Sequence, residues 1–267
     1  MQELNLLGYH SVLSGGSSKP ILINALNEIG EDKTFVMKTY RSNFIEENFS
    51  IAKEILVTIL AREFDLPIPE YGLIKIDNTN LREFYSNDEV NLIDTGYKFC
   101  TEFHEGYVIM NTALAIKKIL KDYEIETLFA FDNLIMNVDR GGFRNKPNLL
   151  IRDEDFLLID HEQTLPFYNS FEKKKDFNFF TIFNNFYYQN HIFWSTLKSF
   201  DHKKKQNLFD EFIELLRTLN INNIKLIFSQ MEKFGILFGD KDAIFAYINW
   251  AKVNYSYISK VLKNRIK

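Results

Sequence analysis

Over the first hundred residues short apolar runs alternate with polar turns, the pattern of strands around a helix. Pro20-Ile21-Leu22-Ile23-Asn24 is an apolar run that follows the turn-forming cluster Gly15-Gly16-Ser17-Ser18. Thr34–Tyr40 alternates in polarity and carries Lys38 near its end, as a strand with one buried face does. Between Asn43 and Asp65 the apolar residues Ile45, Phe49, Ala52, Leu56, Ile59 and Leu60 recur every 3.6 residues, which predicts one amphipathic helix of about five turns. Leu66-Pro67-Ile68-Pro69 stops it, because a proline disfavours helical geometry in the residue before it. Strands are predicted over Tyr71–Ile76 and Tyr97–Phe103.

From about Met110 the periodicity becomes helical. Ala113–Asp122 and Glu124–Met136 read as helices, and the second runs into Asn137-Val138-Asp139-Arg140-Gly141-Gly142, where the glycines force a loop. Leu149–Ile151 and Phe156–Ile159 flank Asp153-Glu154-Asp155, a β-hairpin pattern with Asp160 at its exit. The remainder, from about Asp176, has helical spacing with aromatic residues on the apolar faces. There is no internal repeat and no low-complexity linker. The pattern predicts an α+β chain of two lobes, strand-rich over residues 1–106 and mostly helical over 107–267, joined near residues 103–110. Two lobes imply a cleft, where ligands commonly bind.

Composition narrows the function. With 46% hydrophobic and 25% charged residues in 267, the chain can build a sizeable core. Its formal charge of −4 supplies no positive field for a phosphate backbone, so direct nucleic-acid binding is not expected. The runs Lys173–Lys175 and Lys203–Lys205 read as solvated helix ends. A lone cysteine, Cys100, excludes an intrachain disulfide and a thiolate zinc site. No stretch approaches the roughly 18 apolar residues of a membrane span, and the first residues lack a secretory pattern. A cytoplasmic, soluble protein is expected.

The candidate chemistry lies between Asp139 and Asp160. Asp139 sits in a loop after a helix, Asn148 opens the next strand and Asp160 closes the one after, so a hairpin would carry all three to one edge. Asn and Asp offer the hard oxygen ligands magnesium prefers, and Asp139 could accept a hydrogen bond from a substrate hydroxyl. Taken singly, each is also a common turn or cap residue. No Gly-x-Ser-x-Gly elbow or His-Glu-x-x-His helix is present, and the five histidines, His104 and His161 among them, lack metal-ligand spacing.

Asn137-x-Asp139-Arg140, then Asn148-Leu-Leu-Ile, then Leu157-Leu-Ile-Asp160-His161 resemble the catalytic loop and metal-binding segment of the HipA-like kinases, and more distantly the type II phosphatidylinositol 4-kinases. That resemblance covers roughly residues 8–165. It implies a two-lobed protein-kinase-like fold and an ATP- and Mg2+-dependent phosphotransferase acting on a hydroxyl, with Ser or Thr of a protein as the acceptor. By position, Gly15, Gly16, Ser17 and Ser18 would cradle phosphate oxygens and Lys38 would reach the α- and β-phosphates. Glu54 would pair with Lys38, Glu102 and Phe103 would offer backbone groups to adenine, Asp139 would be the base, and Asn148 and Asp160 the metal ligands. Glu54 lies off the main apolar stripe with Val57 and Ala61, facing either the cleft or solvent. The step from Asp139 to Asn148 is longer than is usual in kinases, which makes Asn145 a rival ligand, and Asp132 is the next candidate base. His161-Glu162 follows Asp160, so a phenylalanine flip is not implied. A lipid or small-molecule kinase, a nucleotide-binding module without turnover, and a toxin-like kinase with an antitoxin-like protein partner are the alternatives.

Overall fold

Ile21, Ile23 and Ala25 are buried while Leu22, Asn24 and Leu26 between them are only partly so, and this period of two makes the segment a strand with two distinct faces. The computed structural model describes residues 1–14, 19–110, 125–141, 147–153, 155–169 and 177–267. The phosphate-loop candidates Gly15 to Ser18, the helix expected over 113–122, Asn145 and the 173–175 lysine run lie outside the described residues.

Six strands form the first sheet: β1 (Gln2–Glu3), β2 (Asn5–Val12), β3 (Ile21–Leu26), β4 (Asp32–Met37), β5 (Tyr71–Ile74) and β6 (Lys98–Glu102). Their order is β1-β5-β6-β4-β3-β2, antiparallel except for the parallel β1/β5 pair. One face buries Ile21, Ile23, Phe35, Met37 and Cys100 against Leu81, Tyr85, Val90 and Ile93. The last four come from a segment between β5 and β6 for which the sequence pattern predicts no element. It holds a 3₁₀ turn, Asn78–Glu83, and helix α3, Asn87–Leu92. The start of α3 is fixed by Ser86 and Glu89 in a reciprocal capping box.

The other face meets helix α2, and here the structure corrects the sequence reading. Residues 43–65 are two helices, α1 (Ser42–Asn48) and α2 (Ser50–Glu63), broken at Phe49, whose φ of 52° is left-handed. The Phe49 ring packs on Tyr168, with centroids 5.5 Å apart, and presses so closely on Gly239 that a Cβ there would lie 2.7 Å from it. Burial of that ring offsets the backbone cost of the break. Nor is α2 amphipathic: Ser50 through Thr58 are all buried. It is a central helix whose core continues through α4 (Ile125–Leu134).

A second sheet, order β7-β8-β9, joins Val108–Ile109 to the hairpin Leu149–Arg152 and Asp155–Leu158. Leu149 pairs with Leu158, and the Ile159 N–H reaches the Asn148 carbonyl at 3.2 Å, so the ladder extends until Asn148 faces the residue before Asp160. The rest is helical: α5 (Phe179–Asn185), α6 (Trp194–Lys198), α7 (His202–Gln206), α8 (Asp210–Thr218), α9 (Ile221–Lys233), α10 (Lys241–Val253) and α11 (Tyr255–Arg265). Among the described residues no helix is long and apolar enough to cross a membrane. The class is α+β.

Candidate active site

Phe35 and Met37 face the inner cluster of the sheet, so the next residue, Lys38, emerges on the side of α2. Its N–H still bonds the Phe99 carbonyl at 2.9 Å, which fixes the backbone, and the side chain is buried. There the ammonium meets Glu54 of α2 and Asp160, 122 residues along the chain. Glu162 lies 3.7 Å away. Glu54 is 1% exposed, which settles the choice between cleft and solvent. It also accepts from Tyr40 Oη at 2.8 Å and from the His161 N–H at 3.1 Å.

Three carboxylates thus converge on one ammonium, and the charges respond. Burial works to lower the Lys38 pKa, but Asp160, Glu54 and Glu162 together outweigh it and hold the amine charged. Glu54 moves the other way. Its burial, resisted by Lys38 and reinforced by Glu162 and Asp160, pushes it up to about 7. For Asp160 the pull of Lys38 overcomes burial and keeps it ionised. His161, 2% exposed with no partner for either ring nitrogen among the described residues, is driven down to about 3 by burial first and then by Arg140 and Lys38, and stays neutral.

Beside this cluster, Asp139 accepts a 2.8 Å bond on Oδ2 from Asn148 Nδ2, which leaves Asn148 Oδ1 as the oxygen it can present. Asp139 is half-buried, and burial raises its pKa above the ordinary aspartate value. Asn148 and Asp160 have φ of 51° and 57°, a left-handed geometry that Asn and Asp tolerate better than other non-glycine residues. Backbone and ligand chemistry select the same two residue types. Arg140, 1% exposed, donates to the Pro147 carbonyl at 3.1 Å and to that of Asn148, pinning the strained turn from behind.

Asp132, the rival base, is fully buried and paired with Arg140 at 2.8 Å, so it cannot reach a substrate. Nor do Glu102 and Phe103 offer free N–H groups: these donate to the Glu70 and Thr34 carbonyls at 2.7 and 2.8 Å. The Glu102 side chain turns to Lys33 at 3.1 Å. Only carbonyl oxygens there are left for a base. The sequence reading missed Glu162, whose carboxylate also faces Tyr40 Oη at 3.4 Å; its spacing of two from Asp160 was the one available signal. One oxygen each from Glu54, Asp160 and Glu162 lie within 4.8 Å of one another, hard oxygen donors of the kind Mg2+ takes, with Glu54 already engaged by Lys38, Tyr40 and the His161 N–H.

Comparison with known proteins adds the kinship. The sequence profile of the HipA-like kinases matches residues 13–225. None of the curated proteins compared is significantly similar to the chain. Among solved structures, the FAT and kinase domain of CtTel1 is similar at 10% identity and a TM-score of 0.32, over 98% of this chain and 21% of that one. The complete CtTel1 dimer with C2 symmetry gives 10% and 0.30, over 98% and 11%. The chain therefore spans about a fifth or less of those structures, and scores this low carry no argument.

Proposed function

Because the chain belongs to the HipA-like kinase family and has its kinase-like fold, we propose that it is an ATP- and Mg2+-dependent phosphotransferase that modifies a hydroxyl, with Ser or Thr of a protein as acceptor. The observation that carries this reading is the meeting of Lys38, Glu54 and Asp160 beside the Asp139–Asn148 pair. Three distant parts of the chain contribute to it. In this reading the nucleotide lies between a first lobe, residues 1–106, and a second, 107–267. The acceptor class rests on the family alone, since related folds serve other substrates.

Lys38, held by Glu54, supplies a fixed positive charge for nucleotide phosphates, and a buried ammonium does so more strongly than one in water. Asn148, Asp160 and Glu162 would hold the metal, which when bound would neutralise charge building on the transferred phosphoryl group. Asp139 accepts the hydrogen bond of the attacking hydroxyl. As that oxygen bonds to the γ-phosphorus and the bond to the leaving diphosphate oxygen breaks, Asp139 takes the proton. Burial suits it to the task by making it a better base than an exposed aspartate.

Incubation with radiolabelled ATP, Mg2+ and cell lysate tests the reading. The wild type transfers label to protein, and Asp139→Asn binds nucleotide normally but transfers at least about a hundredfold more slowly. A near-normal rate in Asp139→Asn would remove Asp139 from the chemistry.

A further inference from the structure

Behind the catalytic loop lies a polar cluster that touches no ligand site, yet its hydrogen bonds lead to both functional residues of the loop. Asp132 is 0% exposed. Its Oδ1 accepts from Asn137 Nδ2 at 3.0 Å, and its Oδ2 from Arg140 Nε at 2.8 Å and His191 Nε2 at 3.0 Å. Asn137 and Arg140 then divide the work. Asn137 Oδ1 accepts the Asp139 N–H at 2.9 Å, while Arg140 holds the carbonyls of Pro147 and Asn148.

His191 reaches Asp132 from the loop between α5 and α6, well beyond the motif. Its Nδ1 accepts the Phe193 N–H at 3.2 Å, so the single proton of a neutral ring must sit on Nε2 and point at Asp132. Burial, which outweighs the pull of Asp132, lowers its pKa and keeps the ring neutral. The neighbouring backbone is latched to the same loop. The Ile192 N–H donates to the Arg140 carbonyl at 3.0 Å. Gly141, at φ 138°, lies so close that a Cβ would be 2.7 Å from the Ile192 nitrogen and 3.0 Å from the Asn190 oxygen.

We propose that Asp132 is a positioning residue that sets Asp139 and Asn148 in register through Asn137 and Arg140, and that His191 is the positioning residue that orients Asp132. This rests on the kinase reading above. Without the Nε2–H donor, Asp132 keeps Asn137 and a two-oxygen contact with Arg140, but Oδ2 loses one of its two donors, so the carboxylate can shift and carry the loop with it. Outer hydrogen bonds that orient metal ligands are commonly worth about 10- to 100-fold in affinity or rate.

The test uses the full chain with His191→Phe, a ring that fits beside Phe129 and Phe193 but has no donor, and His191→Gln, which restores an N–H near the Nε2 position. Circular dichroism verifies folding. In His191→Phe, kcat should fall about tenfold or more and half-saturation by Mg2+ should rise several-fold, with metal-free ADP affinity unchanged. Mn2+ binding in the presence of ADP, followed by electron paramagnetic resonance, should weaken in parallel without any turnover. His191→Gln should recover most of each loss, and 15N spectra of the wild-type ring should show the neutral Nε2–H tautomer. A folded His191→Phe with normal rate and metal dependence overturns the proposal, as does equal impairment in Phe and Gln. If His191→Phe fails to fold, an Nδ1–H or doubly protonated ring in the wild type overturns it. A wild type that binds no metal-nucleotide overturns the kinase reading and this proposal together, whereas intact binding with an indifferent His191→Phe overturns this proposal alone.

Discussion

Lys38 and Glu54 are buried against each other, with Asp160 and Glu162 also beside the ammonium, and in this reading Glu54 acts through the position it gives Lys38. Lys38→Met should abolish most phosphoryl transfer, Glu54→Gln should lower it at least about tenfold, and the double variant should be little worse than Lys38→Met, since non-additivity marks a shared role. Rates and folded fractions of all three variants, measured side by side, check this. Additive losses, or a Glu54→Gln as mild as a surface change of under about 0.5 kcal/mol, would contradict it. At this scale the likeness to the HipA-like kinases singled out Lys38, Glu54, Asp139, Asn148 and Asp160, and the structure brings Lys38, Glu54 and Asp160 together and pairs Asp139 with Asn148. Glu162, Tyr40 and His191 could not be named in advance, because what matters about them is the contact they make across more than 50 residues of chain.

The elements explain which signals were ambiguous. A 3.6-residue apolar period is blind to a single left-handed residue, so Phe49 passed as one more helical position although it separates α1 from α2. Burial of α2 on nearly all sides was hidden because the helix carries Lys53 and Glu54, which normally mark a solvated face. Lys53 is 1% exposed and donates to Asn169 Oδ1. Burial lowers its pKa to about 8, with Glu162 only partly opposing. An unfolded lysine titrates near 10.4. Between those values the unfolded chain keeps a proton that the folded chain has shed, so this group makes stability rise with pH from about 8 to about 10.5, against Cys100, whose thiol burial pushes up and which acts in the opposite sense. Lys98, also held near 8 by burial, contributes in the same window. Denaturant titrations at pH 7 and pH 10 should show the rise in the wild type and a smaller one in Lys53→Met, which should also be the more stable protein at pH 7. An equal rise in both would contradict the assignment.

Across the whole molecule, α2 packs into a single cluster that runs from Tyr40 to Ile266, so the sheet carrying Lys38 and the helical part carrying Asp139 are held by a shared core. That core fixes how Lys38 meets Asp160. The convergence leaves an excess of negative charge around one ammonium, which a divalent cation would offset. The strands β3 to β6, the hairpin and the loop were legible from short-range patterning; β1 and β2 at the sheet edges, the break between α1 and α2, and the segment between β5 and β6, with its short helices and few apolar residues, were not. The central claim is that this cluster binds nucleotide through a metal, and calorimetric titration with ATP tests it most directly. The wild type should bind ATP with Mg2+ at millimolar concentration or below and show a raised melting temperature, by an amount that follows from ligand concentration over Kd. Asp160→Ala should lose the Mg2+-dependent part of both. A wild type that shows no heat and no shift at millimolar ATP and Mg2+, or an Asp160→Ala whose Mg2+ dependence is intact, would contradict the account.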